Sequence, residues 1–445
     1  MTRPRQRDGR TPVPARMSPE PIETTITAVG ADGDGVGTHP DGARLYVPLT
    51  LPGERVRVWP LSRRGDSWMG YANAILEAAP DRRAPECGHF GLCGGCVTQH
   101  WDAARTLAWK VGRLTDALRR AGYDDPPMAP SVSCPPRSRR RMDLAARRET
   151  GRVAVGLHRL RGTEIVDLTE CAVLHPALFE LVAPLRVLLS SLSALRREAS
   201  VVVNLLDSGP DLLLRTDGPL ITPDRVKLTE FAHRHHLPRV SWALNGGVTE
   251  TVCLLNPPVT ALSGVAVMPP PGAFLQATRE GEAAIVAAVL EGLPTKLVNR
   301  SRALELYAGV GTIGFALAQR IRVLAVEGDA ELVNACHAAL TGGGLTGRLE
   351  VRKRDLARQP FLAKELAAFA MVVLDPPHAG AAAQMPFLAQ SKVGTVVYVS
   401  CDPAALGRDA KVLREAGYRL ERVTPIDQFL WSARLEAVAV FRWGK

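Results

Sequence analysis

No stretch of about 18 consecutive apolar residues occurs in this 445-residue chain, which excludes a transmembrane helix. The amino-terminal segment lacks an apolar run as well. Arg3, Arg5, Arg7, Arg10 and Arg16 alternate there with prolines, so it does not read as a secretory signal. The expected compartment is the cytoplasm, and residues 1–18 read as a disordered basic arm. Internal repeats are missing too. Charged residues are a modest 22% against 46% hydrophobic, a balance that excludes a disordered chain and describes a globular protein with a sizeable core. The length suits two to four domains. The charge that is present is lopsided: 55 Lys and Arg against 45 Asp and Glu leave a formal +10. With a pI near 9.4, that excess points toward a polyanionic partner, although basicity alone does not name one. Eight cysteines in a chain without an export signal suggest metal binding or catalysis rather than a disulfide framework.

Residues 19–80 read as a small all-β module, because short β-branched runs (Ile22–Val29, Leu45–Val47, Glu54–Pro60, Trp68–Glu77) alternate with Gly, Asp and Pro turns. Closure into a small barrel would protect the edges of such strands. Arg63, Arg64, Trp59, Trp68 and Tyr71 could then serve RNA, or simply be core and surface. Residues 81–270 read as a mixed α+β domain, with a helical pattern over Trp101–Ala121, strands over Arg152–His158, Glu164–Leu168 and Ser200–Leu206, and a helix over Ala177–Leu195. The proline-rich stretch from Met268 to Gly272 marks a boundary. Over residues 271–445, near-continuous apolar runs (Ala303–Tyr307, Val323–Val326, Leu349–Val351, Met371–Leu374, Thr395–Val399) alternate with helical segments (Ile313–Gln319, Ala330–Leu340, Pro360–Ala368, Ala382–Ser391, Ala404–Ala416). That alternation predicts a parallel doubly wound α/β sheet. Two more strands, near Tyr418–Thr424 and Leu435–Arg442, finish it.

Three clusters carry chemistry. Strand Ala303–Tyr307 runs into Gly309-x-Gly311-x-x-Gly314, and Glu327 ends the next strand, where a carboxylate can accept hydrogen bonds from ribose. This suits a dinucleotide or S-adenosylmethionine equally. Further on, Asp375-Pro376-Pro377 and Ser400-Cys401-Asp402-Pro403 each follow a parallel strand, which places a candidate nucleophile, Cys401, where ligands bind such sheets. The third cluster is Cys87-x5-Cys93-x2-Cys96, rich in glycine, with Cys171 as a candidate fourth ligand. Four thiolates bind zinc or a [4Fe–4S] cluster, and spacing does not separate the two.

Taken together, these residues resemble the family of uracil-5 RNA methyltransferases, in particular the iron–sulfur branch that modifies 23S ribosomal RNA, from about Pro19 to the end of the chain. The resemblance implies a class I S-adenosylmethionine-dependent methyltransferase domain with a Rossmann-like sheet, an OB-like TRAM barrel at the amino terminus, and a [4Fe–4S] cluster on Cys87, Cys93, Cys96 and Cys171. By the same resemblance Gln276, Tyr307, Gly309, Gly311, Thr312, Glu327, Asp355 and Asp375 contact the cofactor. Phe274, Arg137, Arg139 and Arg141 face RNA, Cys401 attacks C6 of uracil, and Glu436 removes the C5 proton after methyl transfer. The target base has to leave its stack to be reached. Four positions depart from the common family residues: Thr312, His378, Asp402 and Arg434.

The expected partner is RNA, 23S rRNA first and the tRNA T-loop uridine second, with no membrane and a monomeric chain. Two readings compete, a non-catalytic RNA-binding or assembly factor on this fold and a dehydrogenase using the literal Gly-x-Gly-x-x-Gly. Intact Cys401, Glu436 and Asp375 argue against the first. His233, His235 and His236 read as a solvated helix end, and Cys134, Cys253 and Cys336 as packing residues.

Overall fold

A computed structural model describes residues 20–296 and 301–444. The basic arm expected over residues 1–18 lies outside the described residues. The described residues form two compact units: 20–85 with 97–106, and 86–96 with 107–296 and 301–444. No helix among the described residues is long and apolar enough to cross a membrane.

In the first unit, six strands pair in the order Ile22–Thr25, Arg55–Arg64, Ser67–Glu77, Arg44–Val47, Gly35–Thr38 and Ala28–Val29. Alternation decides the faces, since Val56 and Val58 point inward while Arg55 and Arg57 point out. Ile26, Leu45, Val47, Val56 and Val58 form its small core. The sheet curls so far that Thr24 of the first strand hydrogen-bonds Thr38 of another, donating to its carbonyl (3.1 Å) and accepting from its N–H (3.2 Å). Buried Glu54 accepts hydrogen bonds from Arg82 Nη2 (2.9 Å) and the Leu51 N–H (2.8 Å), which hold its carboxyl below the ordinary range against the cost of burial.

The second unit contains two large sheets. The first has seven strands in the order Ile165–Asp167, Arg152–His158, Arg141–Glu149, Glu198–Leu206, Gly209–Thr216, Arg239–Leu244 and Glu250–Leu254. Only Gly209–Thr216 and Arg239–Leu244 run parallel. Helices Val182–Ser191 and Thr222–Arg234 cover one face through Leu185, Leu189, Leu228 and Phe231. The helix expected over Ala177–Leu195 is broken into Pro176–Phe179 and Val182–Ser191. Pro184 has no N–H for the carbonyl four residues before it, so the helix restarts there.

The second sheet has eight strands in the order Leu349–Lys353, Arg322–Glu327, Arg302–Leu306, Met371–Leu374, Thr395–Ser400, Glu436–Trp443, Tyr418–Asp427 and Val132–Ser133. The first five are parallel, and Glu436–Trp443 runs antiparallel to Thr395–Ser400. Both faces are covered, which is why these strands read as unbroken apolar runs. On one side Ile285, Val289, Phe315 and Val333 pack on Val323, Val373, Val397 and Val438. On the other, Leu114, Leu118, Leu388 and Leu406 pack on Leu304, Val326, Val372 and Val396. The helix expected over Pro360–Ala368 shrinks to Ala363–Leu366. Gln384 holds the extended backbone of Phe361 on both its N–H (2.8 Å) and its carbonyl (2.9 Å). Strand order reverses between Arg302–Leu306 and Met371–Leu374, and the crevice at the carboxyl ends of such a switch point is where ligands bind open α/β sheets.

Candidate active site

The loop after strand Arg302–Leu306 turns through three left-handed residues, Tyr307 (φ +65°), Gly309 (φ +56°) and Gly311 (φ +90°), before helix Thr312–Ala318. Gly311 is required twice over, because its φ disfavours a side chain and a Cβ there would sit 2.6 Å from the Phe315 ring. Tyr307 adopts a conformation rare for an aromatic residue, a strain that concentrates at ligand sites. Glu327 clamps the loop by accepting from the Gly309 N–H (2.9 Å) on one oxygen and from the Gly328 (2.7 Å) and Asp329 (3.0 Å) N–H groups on the other. Thr312 begins the helix. Asp355 follows the third parallel strand and accepts from the N–H groups of Ala357 (3.0 Å) and Arg358 (3.2 Å). Beneath the loop lies Glu305, which sequence reasoning missed. Its carboxyl is 1% exposed and directly under Gly314. Burial, with Asp375 and Glu327 nearby, raises its pKa well above the ordinary carboxylate value.

Across the switch point, four polar side chains form one chain of hydrogen bonds. Gln276 donates from Nε2 to Asp375 Oδ2 (3.3 Å), and Gln428 donates from Nε2 both to Gln276 Oε1 (2.9 Å) and to Glu436 Oε2 (2.9 Å). The Oε1 of Gln428 accepts from the Ala277 N–H at 3.0 Å. Glu436 begins the antiparallel strand whose next residue, Ala437, is registered against Ser400. The expected base therefore stands level with the expected nucleophile. Burial and the charge of Asp375 push Glu436 up, with the Gln428 bond opposing, and burial pushes Asp375 up; the pair rises to about 8 and about 7. Cys401 is half-buried at the end of strand Thr395–Ser400. Burial first and Glu436 second raise its thiol to about 11, with Arg434 pulling the other way. Gln428 itself gave no signal in the sequence beyond lying eight residues before Glu436.

The family model described as tRNA (uracil-5-)-methyltransferase matches residues 273–442. An uncharacterised RNA methyltransferase from Brucella suis is 39% identical, covering 95% of this chain and 98% of its own. A 23S rRNA (uracil(1939)-C(5))-methyltransferase from Enterobacter sp. is 33% identical over 94% of this chain and 96% of its own. The chain belongs to the RNA uracil-5-methyltransferase family. Its fold matches that of the Pyrococcus abyssi tRNA (uracil-54, C5)-methyltransferase, a structure solved with S-adenosyl-L-homocysteine. The TM-score is 0.71 at 22% identity, covering 94% of this chain and all of that one. This is the S-adenosylmethionine-dependent methyltransferase fold, and membership of a methyltransferase family supports S-adenosylmethionine over a dinucleotide at the glycine loop.

In this methyltransferase two of the residues expected to meet RNA, Phe274 and Arg141, lie together, whereas Arg139 is part-buried with Cys171 and Cys96 among its neighbours. Phe274 is 63% exposed, and the Arg141 guanidinium lies 5.9 Å from its ring centre. Arg139 donates to the Arg141 carbonyl (3.0 Å), and Arg137 is exposed. Arg140, passed over in the basic run, is 2% exposed; it pairs with Glu282 (2.5 Å) and donates from Nε to the Gln276 carbonyl (3.0 Å). Asn204 donates to the Ala273 carbonyl at 2.9 Å. On the first unit, Arg63, Arg64 and Tyr71 are exposed, whereas Trp68 is engaged: it stacks on His39 at 4.5 Å and donates to Asp41 Oδ2 at 3.0 Å.

The cysteine loops lie side by side. Glu170 accepts from the Gly88 N–H (2.6 Å), and the Thr169 N–H donates to His89 Nε2 (3.0 Å). Burial first, and Cys171 among the nearby charges, raises the Cys87 and Cys93 thiols. Gly95 and Leu174 point N–H groups at the Cys93 (3.4 Å) and Cys171 (3.5 Å) sulfurs. Among the described residues, however, no group of three or more Cys, His, Asp or Glu side chains is set to hold a metal ion. The expected four-thiolate ligand set is not assembled in this structure, although its donors fit a cluster in chemistry.

Proposed function

We propose that this protein methylates C5 of a uridine in 23S rRNA, with Cys401 as nucleophile and Glu436 as base. The observation that carries the reading is the Asp375–Gln276–Gln428–Glu436 chain, which sets two proton-binding carboxyls beside Cys401 at the carboxyl edge of the sheet. S-adenosylmethionine, when bound, supplies the electrophilic methyl group. Gln276, Tyr307, Gly309, Gly311, Thr312, Glu327, Asp355 and Asp375 would hold it.

The uracil C5 is a weak nucleophile. Addition of the Cys401 sulfur to C6 turns C5 into an enolate carbon, which takes the methyl group. Glu436 then accepts the C5 proton, and the electrons of that C–H bond restore the C5–C6 double bond as sulfur leaves. Its raised pKa suits a base that works near neutrality. Phe274, with Arg141 against it, offers a face on which an unstacked base can rest. Arg137, Arg139 and the exposed arginines of the first unit, which we read as a TRAM-like module, meet phosphates. Cys87, Cys93, Cys96 and Cys171 would hold a [4Fe–4S] cluster whose role is structural, since the reaction contains no redox step.

Ribosomal RNA is favoured by the Enterobacter relative, similar along nearly its whole length. The test is methyl transfer from labelled S-adenosylmethionine to unmodified 23S rRNA and, separately, to unmodified tRNA, with Cys401→Ala alongside. 5-Methyluridine in rRNA alone, absent with the variant, is the expected result. Label in tRNA alone would overturn the substrate, and labelling that survives Cys401→Ala would overturn the chemistry.

A further inference from the structure

His378, Asp402 and Arg434 come from three different segments and meet beside Cys401. His378 Nδ1 lies 3.9 Å from Cys401 Sγ, within reach of a sulfur hydrogen bond. The same nitrogen is 3.8 Å from Asp402 Oδ2. One guanidinium nitrogen of Arg434 stands 3.1 Å from Nδ1 and 3.2 Å from Nε2 of the ring. A donor nearly equidistant from both ring nitrogens cannot lie along either lone pair. It braces the ring rather than occupying one nitrogen. Asp402 is fixed in turn, because its Oδ1 caps helix Pro403–Glu415 by accepting from the Ala404 N–H at 2.9 Å.

The reading of Cys401 as nucleophile leaves one proton unassigned. A thiol in this half-buried position, beside Glu436 and Asp375, is predominantly protonated near neutrality, and only the thiolate attacks. Glu436 is bonded to Gln428 and is needed later for the C5 proton. The remaining group in contact with the sulfur is His378. We propose that His378 is the base that removes the Cys401 proton, with Arg434 and Asp402 as its positioning residues. As sulfur adds to C6, the S–H proton passes to the imidazole Nδ1. The electron pair of the S–H bond forms the S–C6 bond, and Asp402 faces the imidazolium that results. Arg434 stabilises the thiolate. When the product is released, the sulfur recovers its proton from His378. The proposal rests on Cys401 being the nucleophile, and it gives the methyltransferase two separate bases, one for sulfur and one for carbon.

The test is carried out on the free, full-length enzyme without RNA, so that its outcome is independent of which RNA is methylated. The rate of iodoacetamide alkylation at Cys401 is followed on the Cys401 peptide by mass spectrometry across pH, for wild type, His378→Gln and His378→Ala. His378 is more than half exposed, so both variants should keep the wild-type melting temperature. The expected result is a loss of about tenfold or more near pH 7, at or below the usual contribution of a positioned base. The rates should converge at high pH, where the thiol ionises unaided. Added imidazole should restore the His378→Ala rate, and Arg434→Met should slow alkylation while Arg434→Lys largely preserves it. Superimposable wild-type and His378→Gln profiles, or no response of His378→Ala to imidazole, would overturn the proposal. Failure of methyl transfer to rRNA with His378-dependent alkylation intact would instead count against the substrate assignment alone.

Discussion

Gln428→Leu is the most informative single change, because it removes one side chain and three hydrogen bonds without replacing any group that reacts. The bonds to Gln276 and Ala277 are each worth about 1 kcal/mol net, and that to the Glu436 carboxylate about 1.5–3 kcal/mol. Together they approach about 4 kcal/mol, which at a few degrees per kcal/mol lowers the melting temperature by roughly 10 °C. The chemical consequence is more specific. The Gln428 N–H favours the ionised form of Glu436, so its loss raises that carboxyl further, by about 1–2 pH units at about 1.36 kcal/mol per unit. Base catalysis needs ionised Glu436, so activity rises with pH through this group. In the variant that rise should move upward by the same 1–2 units. Release of tritium from C5-tritiated uridine in 23S rRNA, followed from about pH 6 to about pH 10, reads the proton abstraction directly. At neutral pH the rate should fall about 10- to 100-fold and recover toward alkaline pH. A rate that falls equally at every pH would refute the reasoning and reduce Gln428 to a scaffold.

Glu436→Gln should abolish proton abstraction yet stabilise the protein, as measured by thermal melting at two pH values. The native carboxyl is raised above its unfolded value, so folding binds its proton more tightly and stability declines as pH climbs from the unfolded value near 4.5 through about 8. The variant's advantage should therefore be absent near pH 4 and present at pH 8. Gly311→Ala should lose S-adenosylmethionine binding by calorimetry and cost about 1–2 kcal/mol from the left-handed φ alone; retained binding would show that the loop tolerates a different turn. Phe274→Ala, on an exposed side chain, should change stability by no more than about 0.5 kcal/mol while weakening RNA binding by about 1–3 kcal/mol in filter binding.

What could be read in advance followed from local rules. Two-sided burial wrote unbroken apolar runs into the five parallel strands, and tight turns wrote glycines into the loop at 309–314. His233 and Arg234 do end a helix, Thr222–Arg234, with His235 capping it. Long-range pairing left no such trace. Val132 and Ser133 join the edge of the eight-stranded sheet beside Ile426 and Asp427, almost 300 residues away, and nothing in a two-residue strand announces that. Arg140 lies just before strand Arg141–Glu149 and is buried against Glu282, between the part-buried Arg139 and Arg141, and nothing in the sequence separates it from those neighbours. Gln428 escaped notice because a glutamine carries no spacing rule; its role exists only once three segments meet. His378, Asp402 and Arg434 looked independent in the sequence for the same reason.

The short stretch Ala273–Gln276 is pinned by Asn204 at one end and by Arg140 and Gln428 at the other. Its two working side chains, Phe274 and Gln276, are only two residues apart, one facing outward and one bonded into the crevice through Asp375. On the reading that Phe274 meets RNA and Gln276 meets the methyl donor, both ligands would meet one short, already fixed stretch, so coupling between them has a path only two residues long. By thermodynamic reciprocity, the factor by which RNA changes donor binding must equal the factor by which donor changes RNA binding.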